Sequence, residues 1–221
     1  MKSVLVTAGA TMVPIDKVRA ITNIFKGRTG THIALYFAQK GWDVLLITSN
    51  PSLLEGKPTK GIYVETYHTY DELFSAMQKS ICSESNYDAI VHSAAVSDYR
   101  VEGTYVYKPE NGLQAVGSKG KISSSFEELY LRLLPTRKIV DLIREPWGYT
   151  GYLVKFKLQT MMGDDQLLKI AEESRVHSKA DMIVANCLEW SNDRAFIMTQ
   201  GRNVSVARAN LPEAIMKEMG L

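Results

Sequence analysis

The sequence predicts an α/β fold on a doubly wound, mostly parallel sheet of Rossmann-like type with a C-terminal β-hairpin. Three features predict it. Apolar runs of strand length alternate with helix-period segments, the runs are continuous as strands buried on both faces require, and the last two flank a glycine-containing turn. At 221 residues, 45% hydrophobic and 23% charged, the chain can fill one domain over residues 1–221 and is too apolar to stay disordered.

Residues 2–8 form the first strand, a run with β-branched Val4 and Val6 that ends at Gly9. Residues 29–40 form the first helix, with Ile33 and Phe37 four apart, small Ala34 and Ala38 beside them, and Gly41 where helices end. Residues 43–48 are the second strand, so the chain opens as a βαβ unit with a right-handed crossover. The pattern repeats with a strand over 62–66, a helix over 70–81 and a strand over 88–94. Further on come a strand over 129–133, a helix over 136–144, a strand over 152–157, a helix over 164–178 and a strand over 182–185. Residues 196–199 and 204–207 flank Gln200-Gly201-Arg202-Asn203 as a closing hairpin, and 211–219 is the last helix.

Composition removes several functions. Lys plus Arg is 26 against Asp plus Glu at 24, with no block of like charge, which argues against a nucleic-acid-coating protein. The opening Met1-Lys2-Ser3-Val4-Leu5-Val6-Thr7 has too short an apolar run for a signal-peptide core or a membrane span, so the expected location is cytoplasmic. Cys82 and Cys187 lie far apart, and His32, His68, His92 and His177 have no paired ligand spacing, which excludes a disulfide scaffold or a zinc module. The cysteines read as reduced thiols, and His32 and His92 as packing or satisfied polar groups.

Two connections are longer than a doubly wound fold needs. The first runs from Gly9 to Arg28, and the second from Ser97 to Ser125, with Gly103, Gly112, Gly117 and Gly120 among Lys108, Lys119 and Lys121. The second reads as a mobile basic flap. Both leave the carboxyl ends of strands, where open α/β sheets bind ligands. Gly27-Arg28-Thr29-Gly30 precedes the first helix, where free amides and the positive helix end suit a phosphate; a plain tight turn is the simpler reading. On spacing alone, Asp16, Arg19 and Asn23 read as a solvated loop with an Asx turn at Asn23. Asp98, after the small residues Ser93-Ala94-Ala95, either meets a ligand, caps a helix or pairs with Arg100.

In order along the chain, Thr7-Ala8-Gly9-Ala10-Thr11, Pro14-Ile15-Asp16-Lys17-Val18-Arg19-Ala20-Ile21-Thr22-Asn23 with Gly27 and Gly30, Ala94-Ala95-Val96-Ser97-Asp98-Tyr99, Lys121-Ile122, Phe156-Lys157-Leu158-Gln159-Thr160 and Ile183-Val184-Ala185-Asn186 resemble phosphopantothenoylcysteine synthetase, or phosphopantothenate-cysteine ligase. The resemblance implies a ligase of coenzyme A biosynthesis that joins L-cysteine to 4′-phosphopantothenate through an acyl-nucleotide. It implies CTP as the favoured nucleotide, with ATP as the other choice, and Mg2+ alongside it. It further implies Gly9, Gly27 and Gly30 near the nucleotide phosphates, Phe156 and Asn186 around base and sugar, and Asn23, Ala94, Ala95 and Asp98 at phosphopantothenate. Asn23 would stabilise the acyl-nucleotide and its breakdown, and Lys121 would neutralise the triphosphate. Arg19 would reach the neighbouring subunit's phosphopantothenate, which implies a homodimer. The metal ligands stay open.

The chain departs from the family where Phe25-Lys26 replace two serines before Gly27, where Ser123-Ser124-Ser125 replace further lysines, and where Lys179 falls near but not on a usual lysine. Relatives often carry a flavin-dependent decarboxylase in front; nothing precedes the first strand here, so no flavin is expected. A short-chain dehydrogenase is the first alternative, but its tyrosine and lysine four apart occur only as Tyr36 and Lys40, on the first helix. A non-catalytic nucleotide-binding protein is the second.

Overall fold

A run such as Val4-Leu5-Val6 is stable as a strand where both its faces are covered, and the fold supplies that cover. The computed structural model describes residues 2–83, 87–117 and 120–221, so Met1 and Lys119 lie outside the described residues. In chain order the elements begin with β1 (Ser3–Ala8), β2 (Met12–Pro14), β3 (Ala20–Thr22), α1 (Arg28–Gln39), β4 (Asp43–Thr48), β5 (Ile62–Thr66), α2 (Tyr70–Cys82) and β6 (Ala89–His92). They continue with β7 (Tyr99–Lys108), β8 (Gly112–Ala115), β9 (Tyr130–Pro135), α3 (Ile139–Leu142), β10 (Tyr152–Gln159), α4 (Asp164–His177), β11 (Met182–Cys187), β12 (Arg194–Thr199), β13 (Arg202–Ala207) and α5 (Leu211–Met219).

The main sheet has eight strands in the order β13-β12-β11-β10-β6-β1-β4-β5. Strands β5 through β11 of that order are parallel, and β12 and β13 close the edge antiparallel, as the alternating pattern predicts. Strand periodicity splits the core between two faces. Val4, Val6, Leu46, Val91, Val154 and Val184 meet α1 and α5, whereas Leu5, Ile47, Ile90 and Leu153 meet α2 and α3. Ile183 and Ala185 lie under α4. Phe37 of α1 is fully buried, a burial worth about 1.5–3 kcal/mol, and stands edge-on to Trp42 at 5.1 Å.

The long connections are more ordered than their sequence suggests. In the first, β2 and β3 pair as a hairpin. The second, read as a mobile basic flap, carries β7 and β8, which form a separate three-stranded antiparallel sheet with the following β9. Tyr99, Val101, Tyr105 and Tyr107 supply its strand pattern, and Gly112, at φ +69°, turns β7 into β8. The strand expected at 129–133 exists, but it pairs with β7 rather than with the main sheet. The helix expected over 136–144 is only the short α3.

One buried group links the sheet to pH. His92 lies in β6 with its Nδ1 2.9 Å from Thr7 Oγ1, and burial, aided by the charge of Lys155, lowers its pKa to about 4. Thr7 Oγ1 also accepts the N–H groups of Ser93 and Ala94 at 3.1 Å each, so its own proton goes to His92 Nδ1. The unfolded chain takes up this proton near pH 6.5 and the folded chain only near pH 4. Stability from this site is therefore complete above about pH 6.5 and declines as pH falls, by at most about 3 kcal/mol at pH 4. Thermal melts should show that decline, and His92→Gln should flatten it; an equal slope in the variant would exclude His92 as its source.

Candidate active site

The carboxyl end of β1 is shaped by interlocking glycines. Gly9 has φ +93°, and a Cβ there would lie 2.1 Å from Ser49 Oγ. Gly27, at φ +86°, lies against it so closely that a Cβ would come 2.4 Å from Gly9 N. At Gly30 a Cβ would meet Ser93 Oγ at 2.5 Å and Thr7 O at 2.8 Å, so this glycine seats α1 on β1 and β6. Gly27 is the N-cap of α1, where no side chain caps the helix and no acid stands in the first turn. The leading amides and the positive helix end are left for an anion or water. Gly27→Ala combines a disfavoured φ with backbone overlap and should cost about 2–4 kcal/mol. Urea unfolding measures it, and a loss well under about 1 kcal/mol would show that the turn yields.

The excursion folds back over this cradle. Asn23 Nδ2 donates to Ala95 O at 3.0 Å, Ala95 N–H donates to Gly9 O at 2.8 Å, and Thr11 N–H reaches Ala95 O at 3.3 Å. Asn23, Ala94, Ala95, Gly9 and Gly27 therefore share one neighbourhood. The Asx turn expected at Asn23 belongs instead to Asp16, whose Oδ1 accepts the N–H groups of Val18 and Arg19 at 2.8 Å each. Asn50 Nδ2 donates to Lys26 O at 3.2 Å and ties the glycine turn to the end of β4.

Asp16 also clamps the flap. Its Oδ2 accepts Arg19 Nε and the Ile122 N–H, both at 3.0 Å, and Arg19 Nη2 donates to Ile122 O at 2.8 Å. The Asp16 carboxylate has no exposed side-chain surface, and Arg19 first, then the amides of Ile122, Val18 and Arg19, hold it well below the usual carboxylate range. Lys121, next to Ile122, is exposed. It joins the site through this clamp, since among the described residues no hydrogen bond ties it to the glycines. Arg19 is held within its own chain by Asp16 and Ile122, with two-fifths of its side chain exposed.

A cavity of about 160 Å³ opens where β6 and β10 end, lined by Ala94, Asp98, Lys138, Lys155 and Phe156 among others. Among the described residues the Asp98 carboxylate has no ion pair, so of its three alternatives the pairing with Arg100 is absent; its backbone O accepts from Thr136 N–H at 2.9 Å. Lys155 and Arg208 were missed in the sequence; Lys155 lines this cavity, whereas Arg208 lies beside α1. Lys155, buried in β10, donates to Ser174 O at 3.0 Å and to Ser178 Oγ, and burial lowers its pKa to about 8. Arg208 donates to Thr29 Oγ1 in the first turn of α1 and lies 3.5 Å from Asn186 Oδ1. The lysine inside the apolar run 152–156 was a signal for the first; nothing local marks the second. Phe156 packs into the core on the α1 face, and Asn186, buried at the end of β11, meets Arg208 beside that helix.

Tyr36 and Lys40 sit at the far end of α1, the lysine 5.3 Å over the tyrosine ring, away from the sheet's carboxyl edge. Among the described residues no three His, Cys, Asp or Glu side chains form a metal cage, and no helix is long and apolar enough to cross a membrane.

The family model for the DNA/pantothenate metabolism flavoprotein C-terminal domain matches residues 1–218. The coenzyme A biosynthesis bifunctional protein CoaBC of Thermococcus kodakarensis is 32% identical over 99% of this chain and 49% of its own length, so the chain spans about half of that protein. Phosphopantothenate-cysteine ligase 1 of Oryza sativa subsp. japonica is 23% identical over 94% of this chain and 75% of its own. The crystal structure of the DNA/pantothenate metabolism flavoprotein from Streptococcus pneumoniae matches with TM-score 0.85 and 30% identity, covering 100% of this chain and 98% of that one. These likenesses do not support the dehydrogenase alternative. The chain belongs to the DNA/pantothenate metabolism flavoprotein C-terminal domain family.

Proposed function

We propose that residues 1–221 act as one ligase domain that joins L-cysteine to 4′-phosphopantothenate, with CTP as the favoured nucleotide and ATP as the other. The observation that carries this reading is the Asn23 amide on Ala95 O at 3.0 Å, which brings the excursion and the end of β6 beside the Gly9 and Gly27 cradle. A carboxylate is a poor electrophile because its leaving group would be oxide. In the first step its oxygen attacks the nucleotide's α-phosphorus, forming an acyl-nucleotide and releasing pyrophosphate. In the second, the cysteine amine attacks the acyl carbon, the nucleoside monophosphate leaves, and the nitrogen loses a proton.

Each group has a part in this scheme. The glycine turn and the open end of α1 bind phosphate, Phe156 and Asn186 bind base and sugar, and Ala94, Ala95 and Asp98 border phosphopantothenate. Asn23 donates to the acyl carbonyl, and Lys121 screens the triphosphate. Magnesium bound with the nucleotide would screen charge between the two anionic substrates. The reading places the enzyme in the cytoplasm as a homodimer. Tyr107, Leu113 and Tyr130 are exposed on one face of the small sheet, a surface suited to a second copy, with Arg19 reaching the partner's site.

Mixing the chain with phosphopantothenate, magnesium and either CTP or ATP tests this. Pyrophosphate should appear, faster with CTP, from a particle that light scattering shows to hold two chains. Nucleotide binding without pyrophosphate release would reject the enzyme assignment and leave a non-catalytic nucleotide-binding protein.

A further inference from the structure

Lysine is seldom buried without a partner of opposite charge, because taking an ammonium group out of water is costly. Lys155 is 6% exposed and, among the described residues, forms no ion pair. Its ammonium has three protons, of which Ser174 O and Ser178 Oγ take two. Asp141 is the acid whose charge reaches it, but that carboxylate meets His177 Nε2 at 3.2 Å. One donor is left for a ligand in the cavity that Lys155 lines.

Strand alternation sets this cavity apart from the nucleotide side. Val154 and Phe156 pack on the α1 face, so Lys155 between them points to the opposite face, where Ser174 and Ser178 stand at the end of α4. Thr29, Arg208 and Asn186 meet on the α1 side. At about 160 Å³ the cavity has room for about five water molecules, too little for a nucleoside and enough for a small amino acid. Arg137, Lys138, Lys155 and Lys157 line it against the single acid Asp98, and among the described residues none of the five is in an ion pair. Unpaired cations favour a carboxylate, and an unpaired carboxylate favours an ammonium group. An α-amino acid carries both on one carbon.

We propose that this cavity is an α-amino acid subsite in which Lys155 receives the carboxylate and Asp98 the ammonium group. That the amino acid is the L-cysteine of the reaction rests on the ligase reading; the affinity for an amino acid does not. Asp98 borders phosphopantothenate in that reading, so the nitrogen is held beside the acid that it joins.

The full chain should bind L-cysteine ahead of cysteamine, which has the amine and thiol without the carboxylate, as ligand-observed NMR reads by competition; this comparison needs no variant. With magnesium, nucleotide and phosphopantothenate present, Lys155→Met should raise the KM for L-cysteine about 10- to 100-fold and level its preference over cysteamine, whereas pyrophosphate release before cysteine is added should stay near the parent rate. Met is an unbranched chain of similar length, and Ser174 O keeps the Ser178 hydroxyl as a donor at 2.8 Å, so the variant leaves no acceptor stranded. Equal binding of the two amines by the parent would overturn the proposal. So would a first half-reaction slowed as much as coupling in Lys155→Met, which would give Lys155 to the phosphopantothenate carboxylate instead. Preference for cysteine without ligation would reject the ligase reading and leave the amino acid site standing, and ligation of cysteine and cysteamine alike would do the reverse.

Discussion

Replacing Asn23 by Ala is expected to slow cysteine coupling about 10²- to 10³-fold, the loss typical of removing one oxyanion-type donor, while nucleotide affinity changes little. The amide nitrogen has two protons. One is held by Ala95 O at 3.0 Å, which fixes the side chain, and the second is free for a carbonyl beside Ala94 and Ala95. Charge builds on the acyl oxygen as the amine adds, so the contact strengthens towards the transition state and its loss appears in rate rather than in binding. Single-turnover quench experiments should show the acyl-nucleotide persisting in the variant. A coupling rate near that of the parent would remove Asn23 from this role.

Lys121→Gln is expected to slow pyrophosphate release in the first half-reaction by about 10²- to 10³-fold. The main chain beside Lys121 is pinned at Ile122 by Asp16 and Arg19, while the lysine itself remains exposed. That arrangement holds the base of a flexible cation near the excursion and leaves its ammonium group able to follow a triphosphate. Coupling of preformed acyl-nucleotide with cysteine should be far less affected. Unchanged pyrophosphate release would reject the assignment.

The main sheet was legible because its central strands are buried on both faces. Residues 43–48, 62–66 and 211–219 end where their apolar patterns end, and the observed β4, β5 and α5 have those bounds. The small sheet escaped because Gly103 and Gly112 mask a run whose tyrosines alternate; glycine density reads as loop, although Gly112 is a hairpin turn. The Asx turn was placed on Asn23 because Asn and Asp favour the same local bonds. Asp16 makes that turn, and Asn23 reaches Ala95, a partner 72 positions away that no local pattern reveals. Arg208 is a stronger case: its partner Thr29 is 179 positions distant, so only the closed fold brings the C-terminal corner to the first helix.

The central claim is that the excursion, the end of β6 and the lysine-bearing segment hold a nucleoside triphosphate beside a carboxylic acid. Incubating the chain with CTP, magnesium and phosphopantothenate in the absence of cysteine, then quenching for mass spectrometry, tests it most directly. The account predicts one phosphopantothenoyl-cytidylate for each pyrophosphate released. Pyrophosphate without the acyl adduct, or no pyrophosphate until cysteine is added, would contradict it.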